Sequence, residues 1–244
     1  SYAPLSWLSV MLVGFFQYKY LSRYGVLPKD LSKEKIIYFP LHMEPERTLL
    51  KFSNEFNNQF EAIVWISKNI PAGWLLVVKE QPKALGHRRT ESYTLLRSMA
   101  NVVLSKPEIS SRDWIANARI VVTISGTVGE ESVHLERPVV TFGRHQIING
   151  LPTVYTITGF DDAKGVLDHL TTSGESETRL YKSKISLHNA VQALSFSMVG
   201  YASNYTSDVF QESDATLAIK ELVKAYPELS FISPEEYDSP IEIS

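Results

Sequence analysis

The sequence contains no cysteine among its 244 residues. No disulfide can staple it, no thiolate zinc site can form in it, and no cysteine nucleophile can act. A chain of this length manages without staples, because it buries roughly 70–75% of the surface its unfolded form exposes. Neither charge dominates: 24 Lys and Arg stand against 27 Asp and Glu, for a net charge of −3. That balance excludes a surface built to coat a polyanion, and no nucleic acid is expected as a partner. No apolar run reaches the roughly 20 residues that cross a bilayer. Internal repeats and low-complexity tracts are absent as well. With 44% hydrophobic and 21% charged residues, disorder over most of the chain is excluded.

Several signatures of known chemistry are missing. His42, His87, His134, His145, His169 and His188 show neither HxH nor HxxxH spacing, so no metal site is expected. There is no GxSxG elbow for a serine nucleophile. There is no Walker A loop, and Gly126 and Gly129 lack the earlier glycine of a GxGxxG fingerprint. Asp161-Asp162 reads as the start of a helix rather than as a metal pair.

What is present begins with an apolar segment from Leu5 to Phe16. It has neither the length of a membrane span nor the basic lead and small-residue cleavage site of a signal peptide. It reads first as a buried helix. The basic, aromatic stretch from Tyr18 to Tyr24 supports a second reading, a helix lying on a membrane surface or against a partner. Residues 25–35 read as a polar linker.

From Ile36 onward, short apolar runs alternate with helical patterns. The runs are Ile36–Phe39, Trp74–Lys79, Asn101–Leu104, Arg119–Ile124, Pro138–Phe142 and Val154–Ile157. The helical patterns cover Phe56–Ile70, Glu91–Met99, Ser110–Asn117 and a stretch from about Glu130. The runs show no polar alternation, as expected of strands covered by helices on both faces. Strand, helix and strand with short links predict a right-handed, doubly wound parallel sheet, a Rossmann-like α/β domain over about 35–172. Further helices are expected at Asp161–Leu170, Ser186–Phe196 and Ala215–Ala225. The expected organisation is an apolar helix and linker (1–34), the Rossmann-like domain with its C-terminal helices (35–232) and an acidic tail (233–244).

In an open parallel sheet, ligands sit beyond the carboxyl ends of the strands. Three segments occupy that position. The first, Pro40 to Arg47, carries His42 as a donor, Glu44, and Arg47 as a bidentate partner for phosphate. A solvated loop with internally paired charges explains it equally well. The second runs from Lys79 through Gln81 to Arg88 and Arg89; Lys79 with either arginine could hold an anion, or the segment is an ordinary basic loop. The third is Ser125-Gly126-Thr127-Val128-Gly129-Glu130-Glu131, a glycine-bearing turn that opens a helix. Free N–H groups and the positive dipole end at a helix start suit phosphate, Ser125 and Thr127 add hydroxyls, and Glu131 could accept from ribose hydroxyls. A plain helix cap is the competing account.

Four pieces in this order resemble the capsule and surface polysaccharide biosynthesis glycosyltransferases. They are Tyr38 to Arg47, Val78 to Pro82, Ser125 to Glu131, and Arg137 to Gly143. These enzymes are similar to bacterial Kdo transferases and sialyltransferases of the GT-B fold. The resemblance covers roughly residues 36–145. It implies one half of a GT-B fold, the donor-binding half, in which a sugar leaves a nucleotide donor, often a CMP-sugar, for a glycan acceptor. It implies no metal or other cofactor, since the nucleotide sugar is a substrate. In the family a Lys-x-His-Pro motif and a Ser/Thr motif hold the donor phosphate. Lys79 to Pro82 match the first, with Gln81 where histidine is usual; glutamine still donates a hydrogen bond but carries no charge. Ser125 and Thr127 match the second, and Glu131 matches the acidic residue facing the ribose.

The acceptor-binding half of such an enzyme precedes the donor half, and only about 35 residues precede the first strand here. With Ser1 rather than Met at its start, the chain is expected to be a piece of a larger enzyme, with residues 5–20 contacting the other half or a membrane. A cytoplasmic location, at the inner membrane face, follows from that reading. The alternatives are a non-catalytic Rossmann-like binding module, a sugar-nucleotide epimerase and a polyol-phosphate transferase.

Overall fold

Six short strands form one sheet in which every pairing is parallel. The computed structural model of the chain describes residues 4–43, 59–143 and 146–194. The strands are β1 (Lys35–Pro40), β2 (Trp74–Lys79), β3 (Val102–Leu104), β4 (Ile120–Thr123), β5 (Val139–Thr141) and β6 (Val154–Thr156). The helices are α1 (Pro4–Tyr24), α2 (Gln59–Asn69), α3 (Thr90–Ser98), α4 (Ser111–Asn117), α5 (Thr127–His134), α6 (Phe160–Thr172) and α7 (Glu177–Leu194). The chain divides into two compact units, Ser1–Leu187 and His188–Ser244. The expected Rossmann-like sheet is therefore observed.

Strand order is β3-β2-β1-β4-β5-β6. The chain winds outward from β1 to β3, returns to the other side of β1, and winds outward again. Between β1 and β4 the connections diverge, which opens a crevice at the carboxyl ends of those two strands. Successive side chains of β1 enter different cores. Ile37 and Phe39 pack with Ile63 and Ile66 of α2, Tyr93 and Leu96 of α3, and Leu167 and Leu170 of α6. Ile36 and Tyr38 pack with Trp114 and Ile115 of α4. Both faces are thus covered, which is why these strands read as unbroken apolar runs.

Helix starts differ from the sequence reading at two places. The helix expected from about Glu130 begins at Thr127, directly after Gly126 at φ +95°. Only glycine adopts that backbone readily, so the turn closes three residues early and presents Thr127 as the first helical residue. The helix expected from Ser186 begins at Glu177. Residues 25–35 are not a loose linker: Val26 bridges to Ser105, and Pro28–Leu31 forms a 3-10 turn. The helix expected at Ala215–Ala225 and the tail at 233–244 lie outside the described residues.

The N-terminal segment is a helix, but not a buried one. Trp7 is 65% exposed and Phe16 67%, with Leu8, Met11, Leu12 and Phe15 also open. Contact runs through a narrow strip instead. Gln17 Nε2 donates to the Arg88 carbonyl at 2.6 Å, and Gln17 Oε1 accepts from Gly86 N at 2.8 Å. A Cβ on Gly86, whose φ is +89°, would stand 2.3 Å from the Val10 carbonyl, so glycine is what lets α1 approach. Among the described residues, no helix is long and apolar enough to cross a membrane.

Candidate functional site

At the carboxyl ends of β1, β2 and β4 lies a cavity of about 470 Å³. Its walls come from Pro40 to His42, Lys79 to Pro82, Ser111, Ser125 to Val128, and Glu131. Each strand end delivers polar residues there because the apolar run stops where the sheet stops.

Lys79 is the last residue of β2 and only 6% exposed. Its Nζ donates to the neighbouring Glu80 carbonyl at 3.2 Å. Burial pushes the ammonium pKa below the ordinary lysine value, and the Glu80 carboxylate pulls the other way. Yet the Glu80 carboxylate is committed elsewhere. Its Oε2 accepts from Arg88 Nε at 2.7 Å and from the Tyr93 hydroxyl at 2.8 Å, and its Oε1 accepts from Gln81 N at 2.9 Å. Burial, with Glu80 next to it, pushes the Tyr93 phenol well up, so it remains a donor. Among the described residues, Lys79 has no carboxylate in salt-bridge range, and it is one of the residues that line the cavity.

Ser125 supplies the second group. Its hydroxyl is buried and, among the described residues, has no hydrogen-bond partner. Such an atom costs about 1–3 kcal/mol when left unsatisfied, and a ligand at the cavity wall would satisfy it. Its carbonyl accepts from the Thr123 hydroxyl at 2.8 Å, which sets the turn. Gly126 then caps α5 without a side chain, so the first N–H groups of the helix remain available beside Thr127 and Val128. Those groups and the helix dipole favour an anion.

His42 stands at the rim, with Nε2 3.3 Å from the Thr123 hydroxyl. Its loop is clamped by Gln59, whose Oε1 accepts from His42 N at 2.6 Å and whose Nε2 donates to the His42 carbonyl at 3.0 Å. Arg88 Nη2 donates to that same carbonyl at 2.8 Å.

The structure brings together His42, Lys79, Gln81, Ser125, Gly126, Thr127 and Glu131 around one cavity. Two expected residues stand elsewhere. Arg88 lies behind the wall, paired with Glu80, and does not line the cavity. Gly129 faces away: a Cβ there would meet Ile148 Cδ1 at 2.4 Å, so this glycine serves packing. Glu44 and Arg47 lie outside the described residues. The sequence reading missed three participants: Ser111, Gln59 and the structural role of Glu80. Ser111 sits in a Ser110-Ser111 pair that reads as a helix cap. Ser110 does fill that role, its Oγ accepting from Asp113 N at 3.1 Å.

Residues 29–198 match the family model described as capsule polysaccharide biosynthesis protein. No curated protein matches the chain. Among solved structures the chain is similar to a putative UDP-N-acetylglucosamine 2-epimerase from Listeria monocytogenes. That match has 18% identity over 68% of this chain and 46% of the other, with a TM-score of 0.46. It is similar to the UDP-GlcNAc 2-epimerase from Neisseria meningitidis bound to UDP-GlcNAc, at 19% identity over 66% and 45%, TM-score 0.45. It is also similar to the β-Kdo 2,7 transferase of Thermosulfurimonas dismutans KpsC, at 17% identity over 92% and 64%, TM-score 0.43. The chain spans less than half the length of the two epimerases.

Proposed function

The chain belongs to the capsule polysaccharide biosynthesis protein family, and on that premise we propose that its cavity binds the nucleotide of a sugar donor, as the donor-binding half of a glycosyltransferase. The observation that carries this reading is the placement of Lys79, buried and without a carboxylate partner among the described residues, together with the Ser125 hydroxyl, unsatisfied among those same residues, at the open start of α5. Both residues line the cavity. As the sugar leaves, negative charge grows on the departing phosphate, and preorganised donors stabilise that charge without reorganising.

Charge bears on the donor. Among the described cavity residues Lys79 is the one lysine or arginine, and the carboxylates are Glu80 and Glu131. Arg88 neutralises Glu80. One cation suits a single phosphate, so a CMP-linked sugar fits better than a nucleoside diphosphate sugar. Such a donor would be met on the cytoplasmic side of a membrane, with a glycan acceptor. On this reading the outward face of α1 is a contact surface for the acceptor-binding half.

Titration calorimetry with CMP, UDP and GDP tests the proposal. CMP is expected to bind, and Ser125→Ala to weaken it by about 1.5–3 kcal/mol, the worth of a hydrogen bond to a charged group. The same variant should unfold no earlier than the parent without ligand, because its hydroxyl has no partner to lose. Binding of UDP or GDP in place of CMP would change the donor. No binding at millimolar concentration, or equal affinity in the variant, would overturn the reading.

A further inference from the structure

We infer that Ser111, aimed from behind by Tyr38, is the hydroxyl that donates to the nucleoside end of the ligand; this rests on the nucleotide reading above. The cavity has two unlike ends. Lys79, Ser125 and the start of α5 favour a phosphate, whereas the Glu131 carboxylate repels one. Thr127 and Glu131 are four residues apart on one helix face, so their Cβ atoms lie about 5–6 Å apart. A phosphate beside Thr127 therefore leaves the uncharged, hydroxyl-bearing part of the ligand beside Glu131, in the cavity that Ser111 also lines.

Three observations orient the Ser111 hydroxyl. The Tyr38 side chain is fully buried in the core beneath α4, its ring stacked on Trp114 at 6.4 Å between centroids. Its hydroxyl donates to Ser111 Oγ at 3.0 Å. Burial pushes the phenol pKa well up, so Tyr38 keeps a proton to give to that bond. With Tyr38 donating in this bond, the Ser111 proton is directed elsewhere.

Nor can that proton go to the backbone of its own helix. Serine within a helix commonly donates to the carbonyl four residues earlier, as Ser132 does to Val128 at 2.6 Å. Ser111 is the first residue of α4 and has no such helical carbonyl behind it. The capping role at this helix is already filled by Ser110. The half-buried hydroxyl is left to donate into the cavity it lines. Glu131, which lines the same cavity, offers a carboxylate as acceptor. A donor and an acceptor lining one cavity match a nucleoside, which offers carbonyl and ether oxygens together with ribose hydroxyls. Inorganic phosphate is repelled by Glu131 from this end and is expected to stay with Lys79 and the start of α5.

Calorimetry on the full chain with two classes of probe separates these roles. CMP and UDP carry the nucleoside; inorganic phosphate and pyrophosphate do not. Ser111→Ala is expected to weaken the nucleotide that binds by about 5-fold, a typical net hydrogen bond, and to leave the inorganic anions unchanged. Tyr38→Phe should give part of that loss. The double variant should bind no worse than Ser111→Ala, since Tyr38 acts through Ser111. Ser111→Ala alone orphans the buried Tyr38 hydroxyl and should lower Tm; adding Tyr38→Phe should restore it, which keeps folding apart from binding.

Nucleotide affinity equal in Ser111→Ala and the parent would overturn this inference while the nucleotide reading stood. An equal loss for nucleotide and inorganic phosphate would overturn it too, because Ser111 would then act on the phosphate site or the fold. A parent chain that bound phosphate but no nucleotide would overturn both readings.

Discussion

Lys79 shows how one residue links burial to pH. Unfolded, its ammonium holds a proton up to about 10.5; folded, its pKa is lower because the group is buried. Between those two values the unfolded chain binds more protons. Stability therefore rises with pH across that window, as the cost of a buried charge is relieved. A bound phosphate acts in the opposite direction, because it favours the charged lysine. Anion affinity is thus full below the folded pKa and falls as pH climbs through it. Calorimetry of CMP from pH 8 upward is expected to show affinity falling before 10.5, with proton uptake visible across buffers of different ionisation heat. Lys79→Met should bind more weakly at pH 8 and lose the slope. A slope unchanged in Lys79→Met would show that another group carries it.

Residue type alone did not separate the roles around Lys79. Lys79 and Arg88 are both basic, one ending β2 and the other following it. The difference is that Glu80 faces Arg88 and Tyr93, which leaves Lys79 to the cavity. Likewise, Ser110 and Ser111 look interchangeable in sequence, and the fold separates them: Ser110 caps α4, while Ser111 accepts from the Tyr38 hydroxyl.

Among the elements, α1 departs furthest from its sequence pattern. Its apolar residues occur on every side, so no single stripe states which face is covered. The buried strip is set by Gln17 and Leu21 against the segment after β2 and the end of β3, contacts that local periodicity does not encode. The remaining face carries Trp7, Leu8, Met11, Leu12, Phe15 and Phe16 in the open. An exposed apolar patch of that kind promotes association. The chain on its own is expected to self-associate with rising concentration in sedimentation velocity. Trp7→Ser combined with Phe16→Ser should lower its average mass, and equal masses would remove this face from any contact role. The strands behave differently. Trp74–Lys79 was legible to the residue, because an unbroken apolar run ending in lysine has few other solutions in a covered parallel sheet.

Across the whole molecule, the pocket is held by a buried ionic network. Glu80 collects Arg88 and Tyr93, while Arg88 also reaches the His42 carbonyl, joining the loops after β1 and β2 to α3. Arg88 and Glu80 side chains are 5% and 1% exposed. Replacing Arg88 with Met leaves a buried carboxylate uncompensated and should cost about 3–5 kcal/mol by chemical denaturation. A variant as stable as the parent would show that this network is dispensable. Apolar runs and turn residues already specified the α/β class, the parallel sheet and the turn at Gly126, because period and backbone preference are local properties. The assignment of each polar residue to a ligand, to a neighbour or to packing came only with the fold. Burial and saturation of hydrogen bonds depend on what the other strands and helices bring alongside, and no spacing along the chain records that.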